Sequence, residues 1–154
     1  MVFKGEYLFN KKWSGKGYDE KGNIIYELKD GKGKVIEYHD YSDKKKFEGE
    51  YVDGLRNGMG KEYNKYGESI YEGKFLNGER NGKGKVYWNH ILIYEGEYSN
   101  GKRHGKGKEY IKPNIISFEG EYLDDKKWNG KIKEYDHRGK LLYEGGYING
   151  NKMP

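Results

Sequence analysis

One segment of about 23 residues recurs along the chain, and this repetition restricts the fold more than any other feature. Residues 71–87 read YEGKFLNGERNGKGKVY, and residues 94–110 read YEGEYSNGKRHGKGKEY. No linker separates the segments, so we expect one repeat domain over residues 1–154 with a shortened second segment and a halved last one. An aromatic residue near the start of each segment marks the boundaries 3–25, 26–46, 47–70, 71–93, 94–117, 118–142 and 143–154.

Each segment has the pattern of a β-hairpin. In YEGEY, Tyr94 and Tyr98 point to one face of a strand and Glu95 and Glu97 point to the other, which is typical of a half-buried strand. An Asn-Gly or Asp-Gly pair follows, and such pairs favour tight reversals. A second alternating stretch, GKGK, completes the hairpin. The sequence therefore predicts an all-β fold, a single elongated, twisted antiparallel sheet of stacked hairpins.

Glycine in the middle of these strands indicates close packing. The chain has 25 glycines, and glycine in a strand interior usually lets another group approach the backbone. We expect Gly49, Gly73, Gly96 and Gly120 to lie beneath the second aromatic ring of their segments, Tyr51, Phe75, Tyr98 and Tyr122. The alternation fails at Tyr110, which follows the outward-facing Lys108, so the pattern predicts a bulge or a strand end there.

Glutamate and lysine alternate on the opposite face of the predicted sheet. Glu95 and Glu97 lie on the first strand of a segment, and Lys106 and Lys108 lie on the second. Such cross-strand pairs stabilise a sheet by roughly 0.2–1 kcal/mol each. Because the lysines have partners and the net charge is only +5, we do not expect the protein to bind nucleic acid.

The rest of the composition excludes several classes of protein. The chain has no cysteine, and no apolar run is long enough for a signal peptide or a membrane span, so a cytoplasmic location is expected. The four histidines lie far apart without metal-ligand spacing, and GKGK lacks the remainder of a phosphate-binding loop. No nucleophile has an adjacent base. We therefore predict neither an enzyme nor a cofactor or metal site.

The recurring pattern resembles the MORN repeat, the "membrane occupation and recognition nexus" motif. Residues 94–107, YEGEYSNGKRHGKG, are similar to it nearly letter for letter, and the resemblance is strong over residues 47–135. Two departures are the shortened segment at 26–46 and Ile132 in place of a glycine. The resemblance implies a non-catalytic scaffold or adaptor, because MORN arrays occur in proteins that join membranes, in lipid kinases and in cytoskeletal scaffolds.

The leading functional hypothesis is a scaffold that binds a protein partner, either a helix or an extended peptide, in an aromatic-glycine groove. Trp88 lies in the loop stretch WNHILI, where we expect an exposed apolar cluster. The predicted groove residues are Tyr51, Phe75, Tyr98, Tyr122, Trp13, Trp88 and Trp128.

The alternative hypothesis is peripheral binding of anionic phospholipid by basic residues at the hairpin turns. These residues would line one edge of the sheet and associate the protein with membranes. They are Lys11, Lys12, Arg56, Arg80, Lys102, Arg103, Lys126 and Lys127.

Two further hypotheses concern other partners. Repeated Tyr, Trp and Gly would also suit a carbohydrate-binding array, although the lack of a secretion signal argues against it. The last predicted strand, Tyr143–Asn149, has an exposed edge, and exposed edges invite pairing. We expect this strand to pair with a second copy, giving a homodimer, or to be covered by the tail.

Overall fold

The computed structural model describes residues 2–40 and 42–153, and every regular element among them is a β-strand. Consecutive strands pair antiparallel as hairpins, which confirms the predicted fold class. The chain divides into two compact units, residues 1–79 and 80–154, and the boundary falls after the first residue of the eighth strand.

The first unit contains two sheets. Strands β1 to β3 form one sheet in chain order, and β4 to β7 pair as successive neighbours in the other. A single bridge between Lys29 and Lys32 connects β3 with β4, where the shortened segment lies. The strands are β1 (Val2–Leu8), β2 (Lys11–Tyr18), β3 (Ile24–Leu28), β4 (Gly33–Tyr38), β5 (Lys45–Val52), β6 (Leu55–Tyr63) and β7 (Ser69–Leu76).

The second unit is a run of antiparallel strands that pair in chain order. The last of them has two residues and covers the outer edge of its neighbour at Tyr147 and Ile148. The strands are β8 (Glu79–Trp88), β9 (Ile91–Ser99), β10 (Lys102–Lys112), β11 (Ile115–Leu123), β12 (Lys126–Tyr135), β13 (Leu141–Ile148) and β14 (Asn151–Lys152).

The short turns have the predicted geometry and also connect neighbouring segments. Asn100 and Gly101 both have positive φ, 50° and 79°, as a tight hairpin turn of this kind requires. The Gly101 N–H donates to the carbonyl of Arg80, one segment earlier, at 3.0 Å. Gly78 donates in the same way to Arg56 in the first unit. Each of these turns is therefore held by the preceding hairpin.

The core consists of aromatic rings that lie on paired glycines. Phe47 is fully buried, and a Cβ added at Gly49 or Gly60 would lie 2.7 or 2.6 Å from its ring. In the second unit, a Cβ at Gly107 would lie 2.8 Å from the ring of Tyr94. The ring above the glycines is thus the first aromatic of the segment, and the expectation that the second aromatic lies there was wrong.

The second aromatic rings instead fill the spaces between the first ones. Phe75 contacts Phe47 edge to face at a centroid distance of 5.2 Å, and Tyr122 contacts Tyr94 at 5.4 Å and Phe118 at 5.2 Å. Edge-to-face pairs contribute about 0.5–1.5 kcal/mol each beyond the burial of area. A continuous row of such contacts therefore stabilises each unit.

The predicted irregularity at Tyr110 is a bulge, with the extra residue on the neighbouring strand. Glu109 pairs with Phe118 and Tyr110 pairs with Ile116, so Ser117 is left without a partner in the register. Alternation along β10 is preserved, and the Tyr110 hydroxyl donates to Glu95 at 2.6 Å on the glutamate-lysine face. Burial and this carboxylate raise the pKa of Tyr110 to about 12.

Glutamate and lysine pair across strands on the face opposite the rings, as predicted. Lys61 lies 3.3 Å from Glu72 in the first unit, and Lys108 lies 3.0 Å from Glu119 in the second. These side chains are substantially exposed, so each pair contributes little, about 0–1 kcal/mol.

Candidate functional site

Three of the predicted groove residues belong to the core. Phe75, Tyr98 and Tyr122 are only 3%, 6% and 2% exposed, because neighbouring rings cover them. This corrects the expectation for Phe75 and Tyr122, whereas Tyr98 lines an open groove of the second unit with the small part of its surface that remains exposed. A partner would find almost no surface on them.

Three other predicted groove residues are half-buried. The Tyr51 hydroxyl donates to Glu37 at 2.6 Å, and its ring lies beside Phe47. A Cβ at Gly31 would lie 2.8 Å from the ring of Trp13, and one at Gly150 would lie 3.3 Å from Trp128. Trp13 and Trp128 thus pack beneath the turn of the following hairpin, which is a structural role.

Trp88 differs from the other six because 67% of its surface is exposed. It pairs directly with Ile91 across a two-residue turn, Asn89 and His90, in which both residues have positive φ. Directly paired residues lie on the same face of a sheet. Ile91 is 42% and Ile93 is 36% exposed, so an apolar cluster lies at this end of the β8–β9 hairpin, as the sequence predicted.

The comparable ends of three other hairpins are polar. Asp19, Asn64 and Asp136 each begin a short loop and accept two backbone N–H groups with one side-chain oxygen. These loops are closed by their own hydrogen bonds, and the exposed apolar residues in or next to them do not include a tryptophan; they are Ile24, Tyr66, Leu141 and Leu142.

The predicted basic edge is largely absent, because most of its cations fold back over the aromatic rings. Arg56 lies 4.2 Å above Phe47, Lys127 lies 5.1 Å above Phe118, and Lys12 donates to the Tyr26 hydroxyl at 3.0 Å. Cation–π contacts of this kind contribute about 0.5–2 kcal/mol. Arg80 and Arg103 also lie over rings, Lys11 is half-buried, and Lys102 and Lys126 are exposed.

Arg56 is held by two glutamates on either side of the Phe47 ring. Its Nε and Nη2 donate to the two oxygens of Glu37 at 2.8 and 2.7 Å, and its Nη1 donates to Glu62 at 2.8 Å. Burial opposes ionisation of Glu37, but the hydrogen bonds from Arg56 and Tyr51 hold its pKa below the ordinary value. Such a bidentate pair is a strong and geometrically specific interaction.

Arg103 lies over Tyr94 as Arg56 lies over Phe47, but only one glutamate, Glu109, binds its guanidinium. Its Nη1 donates to Glu109 at 2.8 Å, whereas its Nε lies 3.4 Å from an Asp125 carboxylate oxygen. Its Nη2 donates to the main-chain carbonyl of Asp125. On the neighbouring strand β8, Val86 pairs with Tyr94. The corresponding residue beside Phe47 in the first unit is Glu37. Arg103 thus binds Glu109 and Asp125, and its 3.4 Å contact with the Asp125 carboxylate is longer than the roughly 2.7–2.9 Å that is usual for a charge-assisted bond.

An open groove of about 530 Å³ lies at this site in the second unit. Val86, Ile93, Tyr94 and Tyr98 line one part of it, and the other part carries the charged side chains of Arg80, Arg103, Glu109 and Asp125. Comparison of the segments indicates this difference, since residues 82–87 read GKGKVY and residues 105–110 read GKGKEY, with Val86 in place of a glutamate. The predicted groove did not include Val86.

The described residues carry no other recognisable centre. They contain no group of three His, Asp or Glu side chains that could hold a metal ion. Over the same residues, no helix is present that could span a membrane. The tail covers the outer edge of β13, since the Met153 N–H donates to the Gly146 carbonyl, and pairing with a second copy stays a prediction.

Comparison with known proteins agrees with this architecture. No curated protein sequence matches the chain. The family model of the MORN repeat matches three consecutive stretches, residues 47–65, 71–89 and 94–112, and the first and third of these each cover one hairpin with its turn. MORN is a non-catalytic type of repeat that is generally associated with scaffolds binding proteins or membranes. The chain is therefore a MORN repeat protein.

Proposed function

We propose that this protein is a non-catalytic scaffold that binds a protein partner on the ring-bearing side of its second unit. The observation that carries the proposal is Trp88, whose exposed ring pairs with Ile91 in the strand register, two residues along β8 from Val86 of the groove. Aromatic residues with this exposure are favoured anchors at protein interfaces. The binding surface is then the groove around Val86, and the buried rings support it from beneath.

Affinity capture from the native cell tests the proposal when two variants are compared with the unaltered chain. Trp88→Ser removes the exposed ring, and we expect the captured partner to be lost. Tyr66→Ser is the matched control, because Tyr66 is 70% exposed in the first unit, and its capture should be unchanged. Equal capture by all three proteins would contradict the proposal. A partner identified in this way is then titrated against the three purified proteins.

Peripheral binding of anionic phospholipid is the second candidate. The observation that favours it is the exposure of Lys102 and Lys126 at neighbouring turns of the second unit. Each basic group near an anionic surface contributes about 1 kcal/mol, so two give weak and salt-sensitive binding. Sedimentation with phosphatidylglycerol vesicles at low and high salt separates the candidates. Binding that Trp88→Ser leaves intact but Lys102→Glu removes would favour lipid.

A further inference from the structure

The first strand, β1, has an outer edge that no strand covers in the part of the chain that the structure describes. It pairs with β2 on one side only, and six of its seven residues are exposed. The outer edge of β13, by contrast, is covered by β14 and by the Met153 N–H. An uncovered edge presents unpaired backbone N–H and C=O groups to another chain. A further strand can therefore join the sheet at β1.

Strands of neighbouring hairpins in the second unit pair by opposite charge around a pair of glycines. On both β8 and β10 the sequence Lys-Gly-Lys lies against Glu-Gly-Glu of the following strand. Between β10 and β11 the direct pairs are Lys106–Glu121, Gly107–Gly120 and Lys108–Glu119. Like charges directly opposite one another destabilise a sheet, so two strands that both read Glu-Gly-Glu would pair poorly.

β1 has a different charge pattern, and this pattern is complementary to itself. It reads Lys4-Gly5-Glu6, and a strand that reads Lys-Gly-Glu in one direction reads Glu-Gly-Lys in the other. Two antiparallel copies therefore match opposite charges on both sides of Gly5. Every later segment has a glutamate at the position of Lys4; these residues are Glu27, Glu48, Glu72, Glu95, Glu119 and Glu144.

β2 does not supply the opposite charges that β1 lacks. Lys4 lies directly opposite Lys16, and Glu6 lies opposite Ser14. The pairing of Lys4 with another lysine is unfavourable within the hairpin. A carboxylate on the other side of Lys4 would offset it.

The ring-bearing side of β1 is also incomplete. Tyr7 is 58% exposed, whereas Phe75 and Tyr122 at the same position of later segments are 3% and 2% exposed. Each of those two rings contacts the first ring of its own segment and that of the preceding one. Over residues 2–40 and 42–153, Tyr7 contacts one ring, that of Phe3, at a centroid distance of 5.4 Å. A second aromatic partner for Tyr7 would have to come from outside the hairpin.

We propose that β1 pairs antiparallel with β1 of a second copy, with Gly5 opposite Gly5, and so forms a symmetric dimer. In this register Phe3 lies opposite Tyr7 and Val2 lies opposite Leu8, and each pair occurs twice. The two-fold axis is perpendicular to the sheet, so the rings of both copies lie on one face and the charges on the other. This inference goes beyond the proposed scaffold function and does not depend on Trp88.

Sedimentation velocity of the purified chain from about 1 to 200 µM tests the inference, and we expect a concentration-dependent dimer. Lys4→Glu and Glu6→Lys each place like charges on both sides of the glycine pair. Each variant alone should dimerise about tenfold more weakly or worse. An equimolar mixture of the two should restore the dimer, because Glu-Gly-Glu then meets Lys-Gly-Lys, as β11 meets β10.

The control variant is Glu20→Lys, which makes the same change of charge at an exposed loop residue outside β1. We expect it to dimerise within about threefold of the unaltered chain. Circular dichroism of every variant verifies that the sheet has formed.

Engineered cysteines test the register, since the chain has none of its own. Directly opposed residues lie about 4.5–5.5 Å apart between Cα atoms, which suits a disulfide. A mixture of Val2→Cys and Leu8→Cys should therefore cross-link on mild oxidation. Either variant alone should not, because the two copies of Val2 lie about 20 Å apart in this register.

Three results would overturn the inference. The first is a monomer over the whole concentration range, in which case Lys4 serves only to discourage pairing at an edge. The second is a dimer that Lys4→Glu and Glu6→Lys leave unchanged, since its contact then lies elsewhere. The third is a mixture of the two charge variants that stays monomeric. None of these results affects the capture of a partner through Trp88, so the proposed function is judged separately.

Discussion

Phe47 and Tyr94 occupy equivalent places in the two units, and their surroundings differ in the groups that bind the arginine above each ring. Both rings lie on glycine pairs, and both are covered by an arginine. Over Phe47, Arg56 is bound by glutamates on both sides. Over Tyr94, one side is Val86, and an open groove replaces the second glutamate. The surface above the ring is therefore covered at Phe47 and forms an open groove at Tyr94.

The comparison teaches that the positions that support the sheet differ from the position that varies between hairpins. Ring, glycine pair and arginine recur because each hairpin needs them for stability. The residue before the bulge is a glutamate that binds the arginine over the ring at Glu62 and Glu109, and it is Val86 beside the equally buried ring of Tyr94. Variation at this position changes the surface while the fold stays the same.

Removing the rings should give the largest effect and should be equal at the two sites. Phe47→Ala and Tyr94→Ala each delete a ring at most 3% exposed, so we expect each to lower the free energy of unfolding by about 3–5 kcal/mol. Urea unfolding measures this, with Trp13 as the fluorescent reporter of the first unit. Tyr66→Ala, at an exposed ring, is the control. A loss below about 1 kcal/mol for Tyr94→Ala would show that the two rings are not equivalent.

Removing the arginines should separate the two sites. Arg56→Ala leaves Glu37 half-buried without the guanidinium that binds both of its oxygens, so we expect a loss of about 3 kcal/mol. Arg103→Ala should cost about 1 kcal/mol, because Glu109 keeps Lys127 at 2.7 Å. Urea unfolding with Lys102→Ala as a surface control gives both numbers. Equal losses at Arg56 and Arg103 would remove the distinction between a closed and an open site.

Lowering the pH should destabilise the fold. We expect this effect to be smaller and more gradual than the loss of a ring or of Arg56. The pKa values of Glu37 and Glu109 lie below the ordinary 4.5, since arginine or lysine contacts outweigh their burial. A lowered folded-state pKa contributes stability above 4.5, and that stability is lost as pH falls further. Urea midpoints from neutral to acidic pH measure the loss. Glu37→Gln should flatten the curve, and an unchanged curve would show that Glu37 does not contribute.

Local features of the sequence predicted the fold, because a hairpin depends on neighbouring residues. Asn100-Gly101 predicted a tight turn, and Glu95 and Lys108 predicted a polar face. The burial of Phe75 and Tyr122 could not be predicted in this way. Their edge-to-face contacts join residues more than twenty positions apart, and alternation alone does not distinguish a ring in a groove from a ring in a core.

The site was predicted in part for a similar reason. Trp88 was predicted as an exposed residue because the apolar stretch WNHILI lies at a loop position, and 67% of its surface is exposed. The arginines were predicted at the turns, but their sequence position does not show that the side chain folds back over a ring. Val86 could have been found, since comparing the repeats with one another isolates the residues that differ.

The bonds between successive turns have a consequence for how such a gene can change in length. Each turn donates an N–H to the hairpin before it and offers a carbonyl to the one after it, as Gly78 does to Arg56 and Asp125 to Arg103. In-frame duplication of one whole segment preserves every donor, acceptor, ring and glycine pair. Duplication of only part of a segment shifts the register, so that a residue with a side chain lies beneath an aromatic ring at a position that requires glycine. Inheritance of this architecture therefore favours steps of one complete hairpin.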